Sequence, residues 1–365
     1  MTVPFLDLSR ETRRLRSELD TAIARVLESG RFVLTGEGDA FERSFAAFCG
    51  AADSIGVASG TDAIMIALIA SGVRPGDEVI TAPNTCIPTI VGIERAGAVP
   101  VLADVDPVTY TLDPEQVARR ITPRTRAVMP VHLYGQTADL DAFEQLANEN
   151  GLLLVEDCAQ SHGARCNGRR AGSVGAASAF SFYPTKNLGA LGDGGAVVTS
   201  DDGIAERARL LRNYGERGRF EHVLHGFNSR LDALQAAVLS AKLPHLEAAN
   251  ERRRALARIY EETLADSPLV TPATAAGRDH VFHLYVVQSS DRDAFRTRLD
   301  DAGIGTAVQY PAPVHHQPAY RELDVPGGFP VAESLTERVV SLPLSADHTE
   351  DEIRTAAEAA QSASR

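Results

Sequence analysis

The residues most suited to chemistry lie in the segment SFYPTKNLGALGDGG at positions 181–195. Lys186 follows the apolar strand pattern ASAFSF and precedes a run of glycines, although lysine is normally a surface residue with a strongly hydrated head. An amine in a desolvated pocket beside an aromatic residue has a lowered pKa and becomes a nucleophile for aldehydes. The segment therefore predicts a lysine that forms and breaks an imine.

Two acids, Glu156 and Asp157, end the buried strand pattern in GLLLVEDCAQSHGA. The carboxyl ends of strands are where α/β sheets place their chemistry. One interpretation is that Asp157 only caps the turn that follows it. The other pairs Asp157 with Lys186, which leaves the next apolar strand at the same edge of the sheet. A buried carboxylate near that lysine is what a protonated pyridine nitrogen needs as a partner.

A phosphate site is indicated by the segment SGTDA at positions 59–63. The sequence contains no GxxxxGK[ST] motif and no GxGxxG motif, so the common nucleotide and dinucleotide fingerprints are absent. Gly60 would let the backbone approach an anion, and a helix opening at Thr61 would offer free amides and the positive end of its dipole. An ordinary helix cap is the alternative. Lysine, acid and phosphate site together describe a pocket for pyridoxal phosphate.

The elements that must position these residues alternate between strand and helix from about residue 30 to residue 200. Short, continuous apolar runs such as DEVITAP, GLLLVED and ASAFSF predict a largely parallel sheet covered on both faces. Helical patterns cover residues 14–30, 202–213 and 231–263, and GTDAIMIALIASG predicts a helix capped by Thr61 or Asp62. After residue 264 the pattern changes. We therefore predict a large α/β domain, 1–250, and a smaller C-terminal α+β domain, 251–365.

Composition excludes several classes of function. The formal net charge of −13 argues against nucleic acid or an anionic membrane as a partner. The basic clusters RRLR at 13–16 and RRR at 252–254 lie in helical patterns and are interpreted as solvated helix faces. The run CAQSHGARC, with Cys158, His162 and Cys166, lacks a second ligand cluster, so we expect no metal site. No membrane span or signal peptide is evident, and the protein is expected to be cytoplasmic with reduced thiols.

Six segments resemble, in order and spacing, the DegT-type nucleotide-sugar aminotransferases: SGTDA, VHLYGQ, VEDCAQSHGA, AFSFYPTKNLGALGDGGAVVT, LRNYG and GFNSRLDALQAAVL. The resemblance extends from about residue 3 to residue 345. It implies the fold-type I architecture of enzymes that use pyridoxal 5′-phosphate, with a large domain built on a mostly parallel sheet between helices. The nearest likeness is to enzymes that act on dTDP-linked 3-keto-deoxysugars, including those of antibiotic biosynthesis.

The resemblance also implies roles for single residues around the cofactor ring. Lys186 stands where the family binds the cofactor covalently, and Asp157 stands at the partner of the pyridinium. Gln160 matches the residue that hydrogen-bonds the ring hydroxyl. Cys86, in NTCIPT, departs from the family pattern, which usually has an aromatic residue stacked on the ring at this position. The loss of that stacking leaves open what covers this face of the ring.

Further positions are implied for the phosphate and for the sugar. Three residues match the phosphate-binding positions of one subunit: Gly60, Thr61 and Ser181. Asn228 matches a residue that reaches the phosphate from the second subunit, so an obligate homodimer with shared active sites is implied. Tyr310 and His315, in QYPAPVHHQPAY, together with Tyr214, lie in segments that line the sugar pocket of the family.

These features predict a transaminase that works in two halves. L-glutamate would load its amino group onto the cofactor, and the pyridoxamine 5′-phosphate form would then aminate the keto carbon of a nucleotide-linked sugar. Amination at C4, a UDP or GDP sugar, and a cyclitol acceptor remain open alternatives. A sugar dehydratase on the same fold would have histidine in place of Lys186. A non-catalytic cofactor-binding regulatory protein would not need both Lys186 and Asp157, and a nicotinamide-dependent dehydrogenase lacks its fingerprint.

Overall fold

The computed structural model describes residues 2–365, in which helices alternate with strands along the chain. The α-helices are α1 Leu8–Arg14, α2 Arg16–Ser29, α3 Gly36–Cys49, α4 Gly60–Ala70, α5 Ile87–Arg95, α6 Pro114–Ala118, α7 Leu140–Asn150, α8 Asp202–Leu211, α9 Ala233–Lys242, α10 Leu246–Leu264, α11 Arg292–Asp301, α12 Pro330–Arg338 and α13 Glu350–Ala363. The strands are β1 Asp53–Val57, β2 Glu78–Thr81, β3 Val99–Leu102, β4 Thr125–Val128, β5 Leu153–Asp157, β6 Arg165–Cys166, β7 Arg169–Arg170, β8 Ala177–Ser181, β9 Gly195–Thr199, β10 Glu216–Gly218, β11 Glu221–His222, β12 Tyr285–Gln288 and β13 Val339–Leu342.

A seven-stranded sheet in the order β1-β9-β8-β5-β4-β2-β3 forms the centre of the molecule. The strands β3, β2, β4, β5 and β8 are parallel, whereas β9 is antiparallel to both of its neighbours. In the β5–β8 pair Asp157 lies opposite Ala179, so the carboxyl ends of these two strands meet at one edge of the sheet. The predicted mostly parallel α/β fold is confirmed.

Alternation along β8 explains why helices cover both faces of the sheet. Ala177 and Ala179 pack in one buried cluster with α4 and α8, whereas Phe180 and Phe182 belong to a second cluster with α3 and α9. Successive side chains of a strand point to opposite faces, so a continuous apolar run needs cover on both. This double cover holds the carboxyl edge of β8 rigidly in place.

Local sequence accounts for where the helices begin and end. The N-cap of α4 is Ser59, whose side chain accepts a hydrogen bond from the amide of Asp62 at 3.2 Å, so the predicted cap at Thr61 or Asp62 is off by two or three residues. The predicted helix over 14–30 is divided at Leu15, which has φ −100° and ψ 11°. The predicted long helix over 231–263 is interrupted by a 3₁₀ turn at Leu243–His245, where Pro244 lacks an amide donor.

The C-terminal part has its own apolar core. Side chains of α10, α11 and α13 pack around the antiparallel pair β12–β13, and Val3 joins the same core from the other end of the chain. The predicted boundary between residues 250 and 251 falls inside α10, which is continuous from Leu246 to Leu264. The division into 1–250 and 251–365 therefore stays a prediction. No helix within residues 2–365 is both long enough and apolar enough to cross a membrane.

Candidate active site

A cavity of about 320 Å³ opens at the carboxyl edge of the sheet. Asp157 lies on its wall at the end of β5, and Lys186 lies there in the turn that follows β8. The N-terminus of α4, with Ser59, Gly60 and Thr61, forms another part of the wall. The structure thus brings together an acid, a lysine and a helix N-terminus that are far apart in the sequence.

Asp157 is held in one orientation by its neighbours. It is 3 % exposed, its Oδ2 accepts a hydrogen bond from the hydroxyl of Thr89 at 2.8 Å, and its Oδ1 accepts one from the amide of Ala159 at 3.1 Å. Burial raises the pKa of Asp157, while these hydrogen bonds and the charge of Lys186 oppose the rise. A carboxylate in this setting is a strong partner for a proton on a neighbouring ring nitrogen.

Lys186 differs from the other lysine of the chain, Lys242, in having no carboxylate within 4 Å among residues 2–365. The ammonium of Lys242 is bound by Glu11 at 2.6 Å and by the carbonyl of Gly189 at 2.8 Å. Burial lowers the pKa of Lys186, an effect that Cys86 and Asp157 oppose. A larger fraction of its amine is therefore neutral, and hence nucleophilic, than for an exposed lysine.

The start of α4 is shaped to receive an anion. A Cβ at Gly60 would come within 2.6 Å of Cβ of Ser181, and one at Gly195 would come within 2.4 Å of the carbonyl oxygen of Ser59. Only glycine lets the helix N-terminus approach β8 and β9 this closely. The amides of Gly60 and Thr61 lie in the first turn of α4, where no carbonyl of the helix can accept from them. The site therefore has the chemistry that a phosphate group requires.

Three predicted residues surround the space between Asp157 and Lys186. The side chain of Gln160 accepts a hydrogen bond from the amide of Tyr134 at 2.7 Å and donates one to the hydroxyl of Tyr310 at 3.1 Å. Cys86 is the N-cap of α5 and lines the cavity beside Gln160 and Lys186. The donor set of this cavity, from the amides of α4 to the carboxylate of Asp157, fits pyridoxal phosphate.

Other predicted residues lie outside this cavity. Asn228 is exposed and pairs with Asn213 through an isolated β-bridge. Tyr214, 45 % exposed, precedes the β10–β11 hairpin and lies against the guanidinium of Arg230. His315 is buried, with its Nε2 3.1 Å from Oε1 of Glu333. Within one subunit the structure therefore does not bring these three predicted residues to Lys186.

Glu156, the acid that precedes Asp157, has a different environment. It is fully buried and its carboxylate faces four hydrogen-bond partners: His132 Nε2 at 2.9 Å, the Gly172 amide at 3.1 Å, the Val174 amide at 2.9 Å and the Ser178 hydroxyl at 3.0 Å. These bonds connect the end of β5 to the loop before β8. Glu156 therefore positions the strand end that carries Asp157.

The substitution Glu156→Ala is expected to lower the free energy of unfolding by about 3 kcal/mol or more, because several buried donors would lose their acceptor. Urea unfolding followed by circular dichroism measures the change. Glu149→Ala, at an exposed position of α7, is the matched control and is expected to change the free energy by less than about 0.5 kcal/mol. Equal effects of the two substitutions would contradict a structural role for Glu156.

Comparison with known proteins relates this geometry to a family. The profile of the DegT/DnrJ/EryC1/StrS aminotransferase family matches residues 13–361. The chain belongs to this family. The predicted family, the fold-type I class and the aminotransferase class are thereby confirmed.

Two similar proteins and one solved structure match nearly the whole chain. The erythromycin biosynthesis sensory transduction protein EryC1 of Saccharopolyspora erythraea is 52 % identical over 94 % of this chain and 94 % of its own. A dTDP-3-amino-3,4,6-trideoxy-α-D-glucose transaminase of Streptomyces venezuelae is 51 % identical over 94 % of this chain and 91 % of its own. The crystal structure of DesV from S. venezuelae, in complex with a ketimine intermediate, has a TM-score of 0.98 and 48 % identity, covering 100 % of this chain and 99 % of that one.

Sequence reasoning missed two residues that lie at this site. Thr89, which orients Asp157, lies in the first turn of α5, in the segment CIPT. Because it is one helical turn after Cys86, a predicted site residue, its position in the sequence was a usable signal. Arg253, interpreted as part of a solvated helix face, is 7 % exposed and lines a second cavity at Lys186, so that interpretation is wrong for this residue. Arg253 has the helical spacing of the residues on the buried face of α10, which include Asn250, Leu256 and Ala257. That spacing was the signal in the sequence that Arg253 is buried.

Proposed function

We propose that this aminotransferase uses pyridoxal 5′-phosphate to move an amino group from L-glutamate to the keto carbon of a nucleotide-linked deoxysugar. The observation that carries the proposal is the common cavity of Lys186, Asp157 and the N-terminus of α4. These groups match the aldehyde, the ring nitrogen and the phosphate of the cofactor. Lys186, Asp157 and the N-terminus of α4 would therefore each bind a different part of one ligand.

The residues that would hold the cofactor follow from their positions. Gly60, Thr61 and Ser181 would bind the phosphate, with the amides at the start of α4 as donors. Gln160 would hydrogen-bond the ring hydroxyl with the N–H that Tyr310 does not use. Cys86 would face the ring, where its thiol packs as a small apolar group.

Two residues would carry the chemistry. When bound, pyridoxal phosphate supplies an aldehyde that accepts the amino group and a pyridinium that takes up electrons. The incoming amine would release Lys186 from the cofactor. The free amine of Lys186 would then act as general base on the α-carbon of the donor and as general acid towards C4′ of the cofactor. Asp157 would keep the proton on the ring nitrogen, because its carboxylate is oriented by Thr89 and Ala159 and buried from water.

The names of similar proteins support the substrate class. The S. venezuelae relative is named for a dTDP-linked 3-amino sugar, which favours a 3-keto sugar linked to dTDP as the acceptor of this chain. The name of EryC1, a sensory transduction protein, corresponds to the second candidate, a non-catalytic regulator. The presence of both Lys186 and Asp157 favours the transaminase, since cofactor binding alone does not need the pair.

A homodimer with shared active sites is part of the proposal. Five exposed apolar side chains, which we call the exposed patch, are Phe32, Val33, Leu34, Tyr183 and Leu191. The carbonyl of Phe32 accepts a hydrogen bond from the amide of Ala233, and the amide of Leu191 donates one to Gln235, so both lie at the start of α9. Tyr183 lines the cavity itself. A second copy would cover this patch and bring its Asn228 to the phosphate. Light scattering that showed only monomers at micromolar concentration would contradict the dimer.

The experiment that tests the function is an absorbance scan of the purified protein with pyridoxal phosphate, before and after addition of L-glutamate. We expect a visible band of lysine-bound cofactor that disappears as the near-ultraviolet band of the pyridoxamine form grows, with release of 2-oxoglutarate. A matched sample with D-glutamate controls for non-enzymatic exchange. A band that does not change with L-glutamate would contradict the assigned donor, and the absence of a band would contradict the role of Lys186.

A further inference from the structure

A second cavity, of about 260 Å³, lies on the side of Lys186 that faces the C-terminal part of the chain. It shares Lys186, Cys86, Gln160 and Tyr183 with the first cavity, so the two meet at the lysine. Its far wall carries Arg253 together with apolar side chains: Phe5, Leu6, Leu284 and Leu344. The volume far exceeds the roughly 30 Å³ of one water molecule, so the cavity has room for a small molecule.

Arg253 is a buried cation without an anionic partner. Its hydrogen bonds to residues 2–365 run from Nη1 to the carbonyls of Phe282 and Leu344, both at 3.1 Å, and no carboxylate lies within 4 Å. Nε and Nη2 are left for other acceptors. Burial lowers the pKa of Arg253 to about 10, so the guanidinium is still charged at neutral pH. Buried charges in proteins are nearly always paired.

The acids nearest to Arg253 are already engaged elsewhere. Glu11 binds the ammonium of Lys242 at 2.6 Å, and Asp347 binds Arg14 at 2.7 Å. No acidic side chain within residues 2–365 lines the second cavity. Burial holds the pKa of His283, which also lines it, well below the usual value, so this ring is uncharged at neutral pH. The cavity therefore combines the positive charge of Arg253 with partly apolar walls, and no residue from 2 to 365 supplies a counter-ion in its lining.

We propose that the second cavity binds a carboxylate of the amino donor, with Arg253 as its partner. The inference rests on the proposed transamination and deepens it. The planar guanidinium can bind a carboxylate through two parallel hydrogen bonds, and the apolar walls suit the methylene chain of a five-carbon amino acid. A donor bound there would present its amino group towards Lys186, where the two cavities meet.

A phosphate of the nucleotide is the competing occupant of this cavity. The observations favour the carboxylate for two reasons. The phosphate-binding features of this chain, free amides and a helix N-terminus, are at α4 in the first cavity. The second cavity offers one guanidinium without a carboxylate partner and a wall that is apolar around it, which matches a single carboxylate on a short chain better than a doubly charged pyrophosphate.

The test measures binding of glutarate by isothermal titration calorimetry to the protein loaded with pyridoxal phosphate. Glutarate has the two carboxylates of the donor but no amino or keto group, so its binding does not depend on transamination. The substitution Arg253→Met is expected to weaken glutarate binding about 10- to 100-fold, the range for loss of a charged hydrogen-bond partner. Binding of dTDP, measured in parallel, is expected to change less than about twofold.

A second pair of variants covers the case in which Arg253→Met does not fold. Leu6 lines the same cavity and is only partly buried, so its side chain can be exchanged with less strain. Leu6→Glu places a competing carboxylate in the cavity that Arg253 lines and is expected to weaken glutarate binding about tenfold. Leu6→Gln, of the same shape without the charge, is the matched control and is expected to leave the affinity within about threefold of the original protein.

The outcomes separate this inference from the proposed function. Glutarate binding that neither Arg253→Met nor Leu6→Glu weakens would overturn the carboxylate site. Loss of dTDP binding with unchanged glutarate binding would also overturn it and would assign the cavity to the nucleotide. Arg253-dependent glutarate binding in a protein that does not transaminate L-glutamate would support the carboxylate site and contradict the proposed reaction instead.

Discussion

The substitution Lys186→Ala is expected to lower the rate of transamination by about 10²–10⁴-fold or more, because proton transfer loses its general base and acid. The fold should be retained, since the side chain makes no ion pair within residues 2–365 and lines a cavity. The measurement is the rate of 2-oxoglutarate release from L-glutamate, with circular dichroism to verify folding. Turnover at the original rate would contradict the assignment of Lys186.

The small number of lysines allows a direct chemical test of the same prediction. Because Lys186 and Lys242 are the only lysines of the chain, borohydride reduction of the loaded protein should fix the cofactor at one identifiable peptide. Lys242 is held by Glu11 and serves as the internal control, with Lys242→Arg as the matched variant. Mass spectrometry should find the label on Lys186 in both the original protein and Lys242→Arg. A label on Lys242 would contradict the prediction.

The substitution Asp157→Asn is expected to lower the transamination rate by about 10²–10³-fold, the usual cost of removing one oriented electrostatic group from an active site. An amide cannot hold a proton on the ring nitrogen as a carboxylate does, so the ring would lose its capacity to take up electrons. Stopped-flow absorbance of the first half-reaction measures the effect separately from sugar binding.

Thr89→Val provides a graded control for Asp157. It removes the 2.8 Å hydrogen bond that orients the carboxylate but leaves the charge in place. We expect a smaller loss of rate, of about tenfold, together with a changed pH profile. Without the hydrogen bond from Thr89, which favours the charged form, the pKa of Asp157 rises further. As the pH is lowered, Asp157 of the variant therefore becomes protonated, and the rate falls, at a higher pH than in the original protein. If Asp157→Asn were no slower than Thr89→Val, the carboxylate would not be the partner of the ring.

Much of the site was predictable because its residues lie in local patterns that the strand–helix alternation places at one edge. Asp157 ends a buried strand and Lys186 follows the neighbouring one, and parallel strands bring such ends together. Gly60 belongs to a segment whose glycine and small polar residues predict a helix start, although the cap itself is Ser59. Local hydrogen bonding decides a cap to within two or three residues, which sequence patterns do not resolve.

The sequence by itself determined the α/β class and the mostly parallel sheet, and it predicted that Lys186 and Asp157 lie at the same edge of that sheet. These properties depend on short-range periodicity and on the rule that parallel strands end at the same edge. Only the tertiary structure decided the environment of Arg253. The helical period of α10 shows that Arg253 shares a face with Leu256. It does not show that this face is buried, or that no acidic side chain within residues 2–365 lines the cavity beside it. Whether a charge is paired depends on groups from distant segments, and here those groups are the backbone carbonyls of Phe282 and Leu344, which no local pattern specifies.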